Sequence, residues 1–382
     1  MSDEFIPYGS QWIDEDDIQS VVDVLRGDWL TTGPTVDAFE KELASVGGAH
    51  YAVAVNSGTA ALHAAYEAAG VGPGTEVIVP SLTFSATANA ARYLGATVRF
   101  ADVKEETLTM DPESVDQLIS DQTKVVAPVD FAGHSADIDA IREVIEGRGI
   151  AIVQDAAHSI GGSYRGEPIG SVADMTTFSF HPVKTITAGE GGAILTDNEQ
   201  WAERMKSFRS HGMIRGVDRL TGDHDPGGWA YDIEEPGYNY RITDIQCALG
   251  LSQLAKLGAF IKRRQEIAAQ YRQLLADVDG VRLPPEADWC GHAYHLFAIR
   301  VPAEHRKAIF EKLRDRNIGV QVHYIPVNML AAYRNLGYDP EDTPVALKAY
   351  RQMISIPCFP KMSDEDITRV ASTIRDILTE RL

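Results

Sequence analysis

An α/β fold is what this sequence predicts: a mostly parallel central sheet flanked by helices, followed by a smaller α+β domain. Three observations predict it. Short apolar, β-branched runs recur at 51–55, 76–80, 97–100, 125–129 and 150–153, the pattern of strands covered on both faces. Stretches of helix-forming residues separate them, and strands that alternate with helices pair in parallel. Residues able to do chemistry (Thr59, Phe84, Asp155 and His158) fall just past the expected strand ends. Such sheets hold their ligands beyond the carboxyl ends of the strands.

The elements follow in order. Ile18, Val21, Val22 and Leu25 have the spacing of one helix face over 14–26, and Asp14 to Asp17 suit its start. The segment Asp28 to Pro34 carries Trp29, Thr31 and Thr32, an aromatic and two hydroxyls that can line a pocket; Thr32 is expected at the substrate. Val36, Phe39 and Leu43 mark a second helix, stopped by Gly47-Gly48. The run 51–55 breaks at Asn56-Ser57-Gly58-Thr59, and an alanine-rich helix follows from Ala60. A strand, a small polar turn and a helix N-terminus together form a geometry that binds phosphate. Helices over 244–257 and 260–275 lead to the second domain, expected over 259–382 after a first domain of 1–258. There, strands are expected at 294–301 and 319–325 and a helix at 305–316. Ser363 to Asp366 caps a last helix with Ile367, Val370, Ile374 and Leu378 inward. The Gly-, Asp- and aromatic-rich stretch 212–241 reads as a long, ordered, functional loop.

Lysine 184 carries the chemistry. It stands between the strand-like 176–180 and the turn Gly189 to Gly192 before strand 193–196. A lysine buried there needs a partner or a lowered pKa, and a lowered pKa lets its amine attack a carbonyl and form a Schiff base. Composition narrows the partners. The net charge of −20 argues against nucleic acid and anionic membranes. No apolar run is long enough to span a membrane, the N-terminus MSDEFIPYGS is acidic, and the three cysteines form no CxxC pair, so a cytoplasmic protein is expected. His292 and His295 lack a carboxylate partner, so no metal site is expected.

Lys184, an acid at a strand end, a phosphate cradle and the aromatic Phe84 are together what pyridoxal phosphate requires. The segments NSGTAALH (56–63), PSLTFSATANA (80–90), QDAAHSIGG (154–162), FSFHPVKTITAGEGGA (178–193), GYNYRITDIQCALG (237–250) and HYIPV (323–327) resemble the DegT/StrS-type sugar-nucleotide aminotransferases, which are fold-type I pyridoxal phosphate enzymes. The resemblance covers nearly the whole chain. The opening IPYGSQWIDEDDI and the phrase SFHPVKTIT resemble the branch acting at C4 of UDP-linked 4-keto-6-deoxy hexosamines. It implies Lys184 as Schiff-base lysine and proton shuttle, Asp155 as pyridinium partner, and His158 near the cofactor's phenolic oxygen. It also implies Phe84 stacked on the ring and Gly58, Thr59 and Ser179 at the phosphate. Asn239 would reach the cofactor of a neighbouring subunit, making a homodimer with shared sites. Arg241 and Tyr324 would lie near the substrate, with Arg209 and Arg215 as further cations for a pyrophosphate. Two departures stand out: Asp130-Phe131 with His134 after the fourth strand, and Gln154 where an acid often precedes the key aspartate. The expected reaction moves an amino group from L-glutamate to a nucleotide-linked keto sugar. A C3-keto, GDP- or dTDP-sugar aminotransferase and a non-catalytic member of the fold remain the alternatives.

Overall fold

The computed structural model describes residues 4–215, 227 and 229–380. Seven strands form the central sheet: β1 (Tyr51–Val55), β2 (Glu76–Pro80), β3 (Thr97–Ala101), β4 (Thr123–Val126), β5 (Ala151–Asp155), β6 (Met175–Ser179) and β7 (Gly192–Thr196). Their order is β1-β7-β6-β5-β4-β2-β3. From β6 across to β3 every pairing is parallel, and β7 runs antiparallel to both β6 and β1. Every residue of β2 and β7 is buried. That is why these strands read as continuous apolar runs rather than alternating ones.

Helices cover both faces. The first ones are α1 (Glu15–Arg26), α2 (Pro34–Gly47), α3 (Gly58–Ala68), α4 (Ser85–Tyr93), α5 (Pro112–Leu118), α6 (Ile138–Val144) and α7 (Glu199–Phe208). α3 is buried from Ala60 to Ala68; its alanines let it lie close to the sheet. One hydrophobic core, with Phe39, Ile152, Phe178 and Leu195, fills the α2 side, and another, with Val53, Tyr66, Val77 and Val98, fills the α3 side. After a short hairpin, β8 (Met213–Arg215) with β9 (Tyr231–Ile233), come α8 (Asp244–Leu254) and α9 (Leu257–Leu275). Residues 216–226 and 228 of the predicted long loop lie outside the described residues.

α9 belongs to two cores. Leu257, Phe260 and Ile261 pack against the main sheet's core, whereas Ile267, Tyr271 and Leu275 pack with the C-terminal one. The C-terminal part adds β10 (Phe297–Arg300), α10 (Arg306–Asp315), α11 (Pro344–Gln352), β11 (Met353–Ile356) and α12 (Asp364–Thr379). The expected capping box at Ser363 is present, closed by Asp366. Buried Arg264 of α9 donates to the carbonyls of Tyr294, His295 and Cys358 at 2.7 to 3.1 Å, which ties this part to the sheet's open end.

One expectation fails. The stretch 319–325 is not a strand. It makes one bridge, Gln321 to Ser355, and the partner of β10 is β11. Met353–Ile356 is a buried run of four residues that follows α11 directly, too short to be told from the helix's end by its pattern. The apolar face of α1 is only partly covered, with Val21 and Val22 half-buried. Ile18 is 48% and Leu25 54% exposed, while Asp17 is the buried residue. Asp17 bonds Gln253 at 2.8 Å and pairs with Lys256 at 2.9 Å, and pairing of this kind is what a buried carboxylate requires.

Candidate active site

The carboxyl ends of β1, β2, β5 and β6 open on one cavity of about 390 Å³. Its wall holds eight residues singled out from the sequence: Gly58, Thr59, Phe84, Asp155, His158, Ser179, Lys184 and Tyr324. Parallel strands bring seven of them together, because every strand that points the same way delivers its following loop to the same edge; Tyr324 arrives from the C-terminal part of the chain.

One end of the cavity is shaped for an anion. α3 begins at Gly58, with Ser57 capping the N–H of Ala60 at 3.1 Å. The N–H groups of the first turn therefore face the cavity with the positive end of the helix dipole. Ser179 closes against them from the end of β6. A Cβ on Gly58 would come within 2.9 Å of the Ser179 Cβ, so only glycine lets the serine hydroxyl and the helix start share one concave surface.

Opposite, Lys184 follows a tight turn in which its N–H donates to the His181 carbonyl at 2.9 Å. Burial lowers its amine to about 8, and the Asp155 charge acts against that shift. About a tenth of the amine is thus free and nucleophilic at pH 7, far more than for an ordinary lysine. Asp155, the last residue of β5, is pushed upward by burial. It is also held in place: Thr87 Oγ1 donates to Oδ2 at 2.7 Å and the Ala157 N–H donates to Oδ1 at 3.2 Å. Thr87 itself lies 2.9 Å from Thr83 Oγ1. Neither threonine was expected here. Their i, i+4 spacing across the start of α4 was the available signal, since it sets both hydroxyls on one side.

Behind Asp155 lies a second buried carboxylate. Asp130 receives the Gln154 amide at 2.9 Å, Ser159 Oγ at 2.5 Å and the Ala136 N–H at 2.9 Å. Burial raises it to about 7, with a smaller push from Asp155. The two departures noted in the sequence, Asp130 and Gln154, are therefore one bonded pair: an acid on one strand end faces an amide on the next.

The remaining wall is aromatic and imidazole. Phe84 is 58% exposed, and its ring centre lies 5.9 Å from that of Tyr324. His158 lies 4.4 Å, ring to ring, from His295, and its Nε2 is 3.1 Å from the Tyr324 oxygen. Tyr8, His181, His295 and His323 also line the cavity. Tyr8 and His323, 5.4 Å apart by ring centres, come from distant ends of the sequence, so no local pattern joins them.

Thr32, Asn239 and Arg241 do not line this cavity. The Asn239 carbonyl receives the Asn56 side-chain amide at 3.3 Å, which fixes this loop beside the start of α3. Thr31 bridges Thr243, and Asp244 caps Gly33 and Thr35, placing Thr32 against the same loop. Arg209 is committed elsewhere. It pairs with Glu40 and donates to the Ala54 carbonyl at 2.6 Å, so it serves the fold rather than a ligand. Arg215 is exposed on the hairpin.

Residues 11–375 match the DegT/DnrJ/EryC1/StrS aminotransferase family. SpsC of Bacillus subtilis, a spore coat polysaccharide biosynthesis protein, is 41% identical over 381 residues, covering 98% of this chain and 97% of that one. Spr1654 of Streptococcus pneumoniae, solved in a PLP-form, superposes with a TM-score of 0.91 at 33% identity, over 98% of each chain. Helicobacter pylori PseC, an aminotransferase involved in the biosynthesis of pseudoaminic acid, superposes with a TM-score of 0.92 at 29% identity, over 99% of this chain and 100% of that one. Fold and cavity are those of a pyridoxal-phosphate-dependent aminotransferase of fold-type I. The chain belongs to the DegT/DnrJ/EryC1/StrS aminotransferase family. Its residues fit the cofactor: the Gly58–Ser179 cradle suits a phosphate, Lys184 an aldehyde and Asp155 a protonated ring nitrogen.

Proposed function

We propose that this enzyme transfers an amino group from L-glutamate to the C4 keto group of a UDP-linked 4-keto-6-deoxy sugar, a 2-acetamido hexose, in nucleotide-sugar and surface-glycan biosynthesis. The observation that carries the chemistry is the pairing of Lys184 and Asp155 across one cavity with an anion cradle at its end. The sugar reading draws on SpsC and PseC and on the SFHPVKTIT and IPYGSQWIDEDDI segments.

Bound pyridoxal phosphate supplies a carbonyl that takes up the amino group and a ring that draws electrons from the reacting carbon. Lys184 would hold the cofactor covalently, and its free amine would carry protons between the reacting carbons. Asp155 would keep the ring nitrogen protonated, with Thr87 holding Asp155 in line. Gly58, Thr59 and Ser179 would bind the phosphate, and Phe84 would cover the ring. The nucleotide supplies binding energy far from the reacting carbon, which helps orient the keto group.

The working unit is a homodimer with shared sites. α1 leaves Ile18 and Leu25 uncovered, and Trp29 and Leu30 beyond it are also exposed; a second copy would cover this face and bring its Asn239 loop to the cavity. The test is a panel of 4-keto and 3-keto sugar nucleotides carrying UDP, GDP or dTDP, with glutamate as donor and products identified by NMR. Much higher kcat/KM on a 3-keto compound than on every 4-keto one would overturn the C4 reading.

A further inference from the structure

We infer that Tyr324 is a one-way hydrogen-bond donor into the cavity, its direction imposed by His158 and the backbone of Ala132. The Ala132 N–H lies 3.3 Å from His158 Nδ1. A backbone N–H can only donate, so Nδ1 accepts and carries no proton. A neutral imidazole has one N–H, which therefore sits on Nε2. Nε2 is 3.1 Å from the Tyr324 oxygen, so that oxygen accepts. The phenol's own hydrogen cannot also point at His158. It is left for whatever fills the cavity that Tyr324 lines.

Three features hold this arrangement. Ala132 has a φ of 61°, a left-handed backbone that a non-glycine residue adopts only when its surroundings fix it. Both of its backbone groups are used, the N–H on His158 and the carbonyl by the Leu296 N–H at 3.2 Å. His158 stays neutral because it is buried beside Lys184 and His323, which hold its pKa well below the usual value. Tyr324 is raised above the ordinary phenol range, chiefly by burial, so it keeps the hydrogen it offers. An imidazolium at 158 would set a second N–H against Ala132, so protonation would break the chain at its first link.

A donor of fixed direction selects an electron-rich oxygen. Two such oxygens enter this cavity on the function proposed above, on which this inference rests: the phenolic oxygen of the cofactor and the carbonyl or hydroxyl oxygen of the sugar. His158 and Ala132 are positioning residues for Tyr324, since they act through its oxygen.

The first arm of the test is independent of catalysis. In holoenzyme carrying 15N-labelled histidine, with the signals of residue 158 assigned by their loss in His158→Gln, Nε2 should resonate as a protonated nitrogen and Nδ1 as an unprotonated one. The pattern should hold across about pH 6 to 9. The opposite tautomer, or an imidazolium, overturns the inference whatever the substrate proves to be. The second arm is Tyr324→Phe. If the acceptor is the cofactor's oxygen, the absorbance and its pH titration shift on mutation. If it is the sugar's, KM for the keto sugar rises roughly tenfold, the worth of one hydrogen bond, while the glutamate half-reaction and the spectrum stay unchanged. No change in either readout overturns the inference.

Discussion

The floor of the cavity and its rim are built differently. On the floor, Asp155, Thr87, Asp130, Gln154 and Ser159 come from strand ends and helix starts of one chain and bond one another directly. The surface proposed as the rim shared with a second copy carries exposed Ile18, Leu25, Trp29 and Tyr238, and Asn239 does not line the cavity. A floor that is complete in one chain can hold a cofactor by itself. A rim left apolar and open calls for something to cover it. The contrast separates the chemistry, whose residues one chain carries, from substrate capture, which the proposed shared site assigns to two.

The sharpest break in that contrast is at the floor. Lys184→Ala should lower turnover by about 10³-fold or more while the protein still binds pyridoxal phosphate without a covalent link, because the cradle and Asp155 remain. Steady-state rates and borohydride trapping report the two halves of this expectation, and near-normal transamination would remove Lys184 from its role. Next in size, Asp155→Asn should keep the fold and lower turnover by about 10²-fold. The amide cannot stabilise a protonated ring nitrogen, so the electron draw weakens. Unchanged turnover at saturating cofactor would show that Asp155 does not meet the ring.

The part of the cavity built at the strand ends was largely legible in the sequence and the rim was not, for a physical reason. Thr59, Phe84, Asp155, His158 and Lys184 each end or follow a strand, and parallel order alone brings such positions together. Thr87 and Tyr8 escaped, because what they touch is set by packing between segments far apart in the chain. α1 shows the same limit. Its spacing of Ile18, Val21, Val22 and Leu25 correctly marks a helix, but periodicity says only that one face is apolar, not what covers it. Here that face is only partly covered while Asp17 turns inward onto Lys256. The short β11 was missed because a four-residue apolar run that follows a helix directly cannot be told from the helix's end by pattern.

The rim gives a prediction of intermediate size. If sites are shared, inactive Lys184→Ala chains mixed with inactive Asn239→Ala chains should recover up to about a quarter of native activity by random pairing, since one hybrid site holds both native residues. Ile18→Glu with Leu25→Glu should in turn weaken association, as seen by sedimentation, with little change in far-ultraviolet circular dichroism. A fully active species sedimenting as one chain would refute the shared site.

The smallest effect tests the floor from behind. Asp130 is raised to about 7 by burial, whereas an unfolded chain releases that proton near 3.8. Between these values the folded protein keeps a proton that the unfolded one has lost, so unfolding releases it and becomes more favourable as pH rises. The contribution of Asp130 to stability therefore falls from about pH 4 to about pH 7 and levels off above, each pKa unit corresponding to about 1.4 kcal/mol. Its neighbours act on it unequally: Asp155 pushes it up, while Ser159, Ala136 and Gln154 hydrogen bonds pull it down. Asp130→Asn removes this titration and leaves the Asp155 carboxylate in place. The variant's unfolding midpoint relative to the native protein should thus improve steadily across the window, even if the amide costs some stability at its acid end by facing the Gln154 NH₂. Denaturant or thermal midpoints measured at intervals from about pH 4 to 8 read this directly. Two curves that stay parallel would mean that Asp130 is ionised at both ends of the range and that Gln154 and Ser159 stabilise its charge fully.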